Sequence, residues 1–305
     1  MWFKNVLLYR FTKPFTESAE NLEEQLATQP FKPCGSQEPS SYGWVSPLGK
    51  ASDMYVHAGN GYLMVCAQRQ ERILPAAVIN EALEEKVANI AAQDERSVGR
   101  KERLELKDEI IFELMPKAFV RSNKQYAYID TREGLLVINA SSTKRAEELM
   151  NLLRESIGSL PVIPITANNL PQHTMTEWLL NAQAPAGFEL GGECELRDKA
   201  DENSVIRCKN RDLAAEEINS HLKAGMFVSR LALSWQGGIE FVVDDQLALK
   251  RLSFGDLIQE QLESQEAEGA AEQFDVDFTI MTQEFSRLFA GVLTAFGGED
   301  RSEQV

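Results

Sequence analysis

The side chains able to do covalent or metal chemistry are few and scattered. Four cysteines (Cys34, Cys66, Cys194, Cys208) form no Cys-x-x-Cys pair, and three histidines (His57, His173, His221) stand equally far apart. A metal site needs several such ligands at short spacing or converging from neighbouring elements. The sequence therefore points to reduced, packed thiols, packed histidines, and no metal or cofactor. Cys34-Gly35-Ser36 places a thiol and a hydroxyl in one loop, but a nucleophile needs a base within hydrogen-bond reach, and a tight loop is the plainer reading. The chain contains no Gly-x-x-x-x-Gly-Lys, no Gly-x-Gly-x-x-Gly after a strand and no His-Glu-x-x-His. Glu84-Glu85 and Glu216-Glu217 read as solvated helix faces. The acidic C-terminal stretch lacks the spaced Asp/Asn and glycine of a calcium loop. No enzyme constellation emerges.

Three basic clusters remain. The first is Arg96, Arg100, Lys101 and Arg103. The second is Lys117, Phe119 and Arg121, with Lys124 close behind. The third is Arg207, Lys209, Asn210 and Arg211, with Lys223 and Arg230 on the elements that follow. Lysine and arginine neutralise phosphates with release of counterions, and a flanking aromatic can stack or wedge. Taken alone, a solvated charged face is the plainer reading of each cluster, and a core or interface side chain the plainer reading of Phe119. Composition leaves function open.

Charge sets a further bound. The chain has 305 residues and a net charge of −16, from 31 basic and 47 acidic side chains. Residues 256–305 hold twelve of the acids and only Arg287 and Arg301 against them, so residues 1–255 carry −6. Phosphate binding responds to the local field, since salt screens charges beyond about 8–10 Å. Acidity overall thus lowers the case for nucleic acid without excluding it. No apolar run approaches the roughly 18 residues that span a bilayer. The start, Met1–Arg10, reads as a strand and not as a signal peptide, so a cytoplasmic location is expected.

The elements that must position these residues follow from periodicity. A helix carries Leu22, Leu26 and Ala27 on one face, and a Gly/Pro/Ser-rich loop runs from Pro33 to Lys50. Strands at 54–57 and 62–67 flank Gly59-Asn60-Gly61, a hairpin turn signal. Ile79, Leu83, Val87 and Ile90, then Leu104, Lys107, Ile111 and Leu114, recur at helical spacing around the polar segment 93–103 and predict a projecting helical hairpin. Residues 117–121 look extended. Strands follow at 126–130 and 135–140, then a helix with Ala146, Leu149, Met150, Leu153 and Ile157 on one stripe and Gly158 at its stop. Beyond an edge strand at 161–165 come a short helix at 176–182, strands at 188–196 and 204–209 and a helix at 213–222. A meander at 226–235, 239–243 and 247–252 precedes a closing helix bearing Phe278, Met281, Phe285, Leu288, Val292 and Phe296. The only low-complexity tract is the acidic Gln259–Glu268. The fold class is α+β.

Several fragments occur together in a fixed order. They are Trp2-Phe3-Lys4-Asn5, Pro33-Cys34-Gly35-Ser36-Gln37, Gly43-Trp44-Val45, Arg72-Ile73-Leu74-Pro75, Leu106-Lys107-Asp108-Glu109, Pro116-Lys117-Ala118-Phe119, Gly158-Ser159-Leu160-Pro161-Val162, Thr176-Glu177-Trp178 and Leu249-Lys250-Arg251-Leu252. In order and spacing they resemble the RdgC family of bacterial recombination-associated proteins nearly end to end.

The resemblance implies a horseshoe-shaped protomer of several subdomains. Residues 1–75 and 116–167 would form a central α+β domain, 76–115 a helical tip, and 168–305 a second α+β base domain. It also implies a closed, ring-shaped homodimer with a basic hole for duplex DNA, binding single-stranded DNA as well, without sequence preference. Such a protein would sit at the nucleoid and restrain the RecA recombinase, with its acidic C-terminal region outside the ring. Phe119 matches the family aromatic at the tip contact, a gate in the ring flanked by Lys117 and Arg121, and Lys209 matches a basic position facing the hole.

The chain also departs from the pattern. Asn210 interrupts a pair of adjacent basic residues, Met226 stands where relatives often carry lysine, with Lys223 nearby, and Gly99 breaks the basic hairpin segment. Two alternatives stay open. One is an acidic interaction module acting directly on the recombinase. The other is a nuclease, for which a grouped metal motif is lacking.

Overall fold

A computed structural model describes residues 2–201, 203–256, 260 and 269–302. Apart from residue 260, the acidic Gln259–Glu268 stretch lies outside them. The chain is α+β, with seven helices and a twelve-stranded sheet among the described residues.

The first half contributes β1 (Asn5–Phe11), α1 (Ala19–Leu26), β2 (Ser40–Val45), β3 (Val56–Gly59) and β4 (Tyr62–Ile73). Then come α2 (Ala76–Asp94), α3 (Arg100–Leu114), β5 (Phe119–Asp130), β6 (Leu135–Asn139), α4 (Thr143–Ile157) and β7 (Val162–Pro164). The second half contributes α5 (Pro171–Leu180), β8 (Phe188–Arg197), β9 (Val205–Lys209), α6 (Glu216–Lys223), β10 (Phe227–Trp235), β11 (Ile239–Asp244), β12 (Leu249–Phe254) and α7 (Ala270–Ala295).

The strands run in the order β2-β4-β5-β6-β1-β12-β11-β10-β8-β9, with β3 on β4 and β7 on β1. All pairings are antiparallel. β4 and β5 pair over twelve residues, from Tyr62 opposite Asp130 to Ile73 opposite Phe119. The two halves meet at a short register in which only Asn5 and Val6 of β1 face Lys250 and Leu249 of β12.

Because side chains alternate along a strand, the sheet builds two cores. On one face, Val6, Met64, Tyr128, Leu231, Trp235 and Phe241 join α5, α6 and α7. The predicted α7 stripe is buried throughout, and Phe278 makes edge contacts with Tyr62 and Tyr128. On the other face, Tyr9, Val65, Ala127 and Ile138 pack against α1 and α4. The helices α2 and α3 close on a small core of their own, Ile79, Leu83, Leu106 and Ile110.

Several expectations are corrected. The Pro33–Lys50 segment is not all loop. It contains β2, whose Trp44 is buried and donates its indole N–H to Ser156 at 2.9 Å. Ala27 is the exposed C-cap of α1, one residue past its apolar face. In α3 the buried pair is Leu106 and Ile110; Leu104 is exposed and Ile111 and Leu114 sit at the rim. Residues 117–121 and 126–130 belong to one run, because a 3-10 turn over Met115–Lys117 leads directly into the unbroken β5.

Candidate nucleic-acid interface

The α1–α4 layer covers only the β1–β6 half of its sheet face. Across β8–β12 the same face carries no helix among the described residues, and the period of two fills it with charge. Along β8, Cys194 and Leu196 turn to the core while Glu193, Glu195 and Arg197 turn outward. Along β9, Ile206 and Cys208 turn in while Arg207 and Lys209 turn out. Register then aligns the outward set across strands: Lys209 opposite Glu193, Arg207 opposite Glu195, Glu195 opposite Arg230, and Lys250 opposite Asn5.

The result is a groove of about 380 Å³ whose charged lining is Arg207, Lys209, Arg230, Lys250 and Arg251 against Glu193 and Glu195. That leaves a local excess of three positive charges on a chain of net −16.

The two acids organise the cations. One Glu195 oxygen accepts from Arg197 at 3.0 Å and from Ser229 at 3.0 Å; the other accepts from Arg207 at 2.8 Å and Arg230 at 3.4 Å. Burial alone would push the Glu195 carboxyl up. The hydrogen bonds from Arg207, Arg197 and Ser229, with the charge of Arg230, outweigh burial and hold it at about 2. A hydrogen bond from Arg251 at 2.8 Å holds Glu193 below the usual carboxylate range. The guanidinium groups are thereby held in place, and two of the side chains stay more than half exposed, Arg207 at 64% and Arg251 at 52%.

The residues singled out from sequence are thus partly gathered and partly dispersed. Arg207, Lys209 and Arg230 share the groove. Asn210, with φ +51°, forms the turn after β9 and lines an adjoining cleft, while Arg211 is exposed beside it and donates its backbone N–H to Gly192. Lys223 ends α6, in the layer on the opposite sheet face, and does not line the groove.

The second cluster lies on and before β5, seven strand spacings from β9 in the sheet order, about 34 Å along it at ~4.8 Å per strand. Lys117 is exposed in the 3-10 turn, Phe119 is 86% exposed, and Arg121 pairs with Glu71 at 3.2 Å. Strand alternation sets Lys124 on the opposite face from Phe119 and Arg121, so these residues do not make one patch. In the hairpin, Arg96 is held bidentate by Glu102, and Arg103 by Glu84.

Lys250 and Arg251 were missing from the sequence-derived set. Their signal was the outward position of Lys250 in a strand that pairs with β1. Among the described residues, no three His, Cys, Asp or Glu side chains gather into a group that could hold a metal ion. No helix among them is long and apolar enough to cross a membrane.

A family model described as "Putative exonuclease, RdgC" matches residues 1–299. The chain belongs to the RdgC family. Its similarity to curated relatives is as extensive. A recombination-associated protein RdgC of Tolumonas auensis is 44% identical over 299 residues, covering 98% of this chain and 99% of the relative. One of Pseudomonas putida is 45% identical over 301 residues and 98% of both chains. One of Aeromonas hydrophila is 42% identical over 302 residues, 99% and 100% of the two. The family is thus named both for recombination and for an exonuclease. The groove described above offers cations for phosphate and carboxylates already engaged by arginine.

Proposed function

We propose that this protein binds DNA without sequence preference, as a ring-shaped homodimer around the duplex, and restrains RecA-mediated recombination. The observation that carries the DNA reading is the bare sheet face on which five cations surround two acids that arginines keep ionised. Such a surface meets a phosphate backbone and reads no base edge.

The ring, the nucleoid location and the recombinase role rest on family resemblance. In that reading 1–75 and 116–167 form the centre, 76–115 the tip, with Phe119 beside it at the tip contact, and 168–305 the base bearing the groove. Lys117, Phe119, Arg121 and Lys124 then act at the tip, and Arg207, Lys209, Asn210, Arg211, Lys223 and Arg230 at the base. We read the protein as non-catalytic, since the groove carboxylates are occupied by guanidinium groups.

Salt dependence tests the phosphate mechanism. Log affinity for duplex DNA should fall linearly with log salt, by about 0.9 per phosphate neutralised. Replacing Lys209 and Lys250 by glutamine should each lower that slope by about one, alike on every sequence. Lys209→Glu with Arg211→Glu should weaken DNA binding and RecA inhibition in parallel. A flat salt response, or strong preference for one sequence, would sink the phosphate reading. Duplex DNA incubated with the protein and magnesium should emerge intact; shortened strands would favour the exonuclease reading. A closed two-fold particle in electron micrographs is the expected architecture.

A further inference from the structure

A second cleft opens where the start of β1 meets the end of β12. It encloses about 550 Å³, within the range of small-ligand sites, roughly 300–1,000 Å³. Its floor is aromatic. The Trp2 and Phe254 rings lie 4.4 Å apart between centroids, tilted at 56°, and Phe254 packs in turn on Phe285. Its rim is cationic, with Lys4 exposed and Arg251 half-exposed. Trp2 Nε1 is shut off from solvent and meets no acceptor among the described residues, so packing alone holds the indole.

This cleft adjoins the cationic groove at the junction of the two sheet halves, where Asn5 and Arg251 line both. The junction is built, not incidental. Asn5 Oδ1 accepts the Arg251 backbone N–H at 3.2 Å, and Arg251 is the extra residue of a bulge in β12, with φ +54°. A bulge re-aims a side chain, and a non-glycine residue persists in the left-handed region only where its surroundings impose it.

We propose that the Trp2–Phe254 cleft is a subsite for one unpaired nucleobase, with the flanking phosphates on Lys4, Arg251 and the groove beyond. Every base has a π-face that stacks on an indole, whereas bases inside a duplex already stack on one another. The subsite therefore adds affinity for single strands over the charge attraction that both forms share. It rests on the DNA reading above.

The test uses the full chain, a labelled oligothymidylate and a blunt duplex of equal length at one salt concentration. Trp2→Ala should weaken oligothymidylate about tenfold, the effect of losing one stacked base, and leave the duplex within about twofold. Trp2→Phe should recover most of that affinity. It should also abolish the tryptophan fluorescence quenching that oligothymidylate causes in the parent protein. Equal loss on both substrates, or none on either, overturns the subsite and leaves the cleft to an apolar protein segment. Should Trp2→Ala not fold, undiminished quenching in Trp2→Phe overturns it as well. A parent protein that binds neither DNA would instead sink the groove itself, so the two failures are distinct.

Discussion

A carboxylate with 4% of its side chain exposed is normally expelled from a sheet or neutralised; Glu195 stays ionised because three arginines and Ser229 reach it. Its folded pKa of about 2 lies below the ordinary 4.5, so its stabilisation is complete above about pH 5 and lost as pH falls through 2. Glu195→Gln should cost roughly 1.5–3 kcal/mol in urea unfolding at pH 7, and the gap from the parent should narrow steadily below about pH 4.5. A gap independent of pH would mean that the charge is not what matters.

Thiols give a second residue-scale outcome. Burial pushes Cys66 and Cys194 up to about 12, so a native thiol titration near pH 8 should count no more than two rapid groups of four. Much at this scale was legible: Arg207-x-Lys209 declared its outward face. Glu193-x-Glu195-x-Arg197 carries the same period of two, yet its partnership with β9 is a matter of register, which a single strand does not reveal.

At the level of elements, legibility followed amphipathic contrast. The α7 and α4 stripes were readable because each helix has one apolar face. Apolar residues of α3 (Leu104, Leu106, Ile110, Ile111, Phe112, Leu114) surround the helix, so only packing on α2 selects Leu106 and Ile110. β2 was hidden by its composition: Gly43 reads as loop, but it is where the strand crosses another piece of backbone. A Cβ there would stand 2.6 Å from Phe31 Cα, and the crossing is pinned on both sides, Phe31 donating its backbone N–H to Trp44 and Trp44 donating its own to Gln29. Gly43→Ala should therefore cost about 1–3 kcal/mol through forced backbone movement, read as a lowered Tm, although alanine suits a strand better than glycine.

Taken whole, the molecule is a long sheet whose halves meet, strand to strand, through a two-residue pairing over a shared core, and its C-terminal segment fastens onto the first strand beside that seam. Glu299 holds Arg10 of β1 in a bidentate pair at 2.7 Å, both side chains 8% exposed, and Arg10 also donates to the carbonyl oxygen of Glu133. Ala167 bridges to Glu299, and Asp300 donates its backbone N–H to Thr166. Glu299 and Asp300, in the acidic C-terminal region, are thus tied into the sheet. Acidic composition alone does not show that a buried arginine in the first strand pairs with a carboxylate some 289 positions later. Removing residues 299–305 leaves Arg10 buried without its carboxylate, which should cost about 3–5 kcal/mol. Glu299→Gln should do much the same, whereas Arg10→Met with Glu299→Leu should recover most of the loss, since apolar replacement of a buried pair is often neutral. Tm values for the three variants check this directly. The same logic decides how a direct acidic contact with the recombinase must be sought: neutralising an exposed acid such as Asp256 leaves the Arg10–Glu299 fastening closed, while truncation would weaken DNA binding and recombinase inhibition together by loosening the sheet that carries the groove.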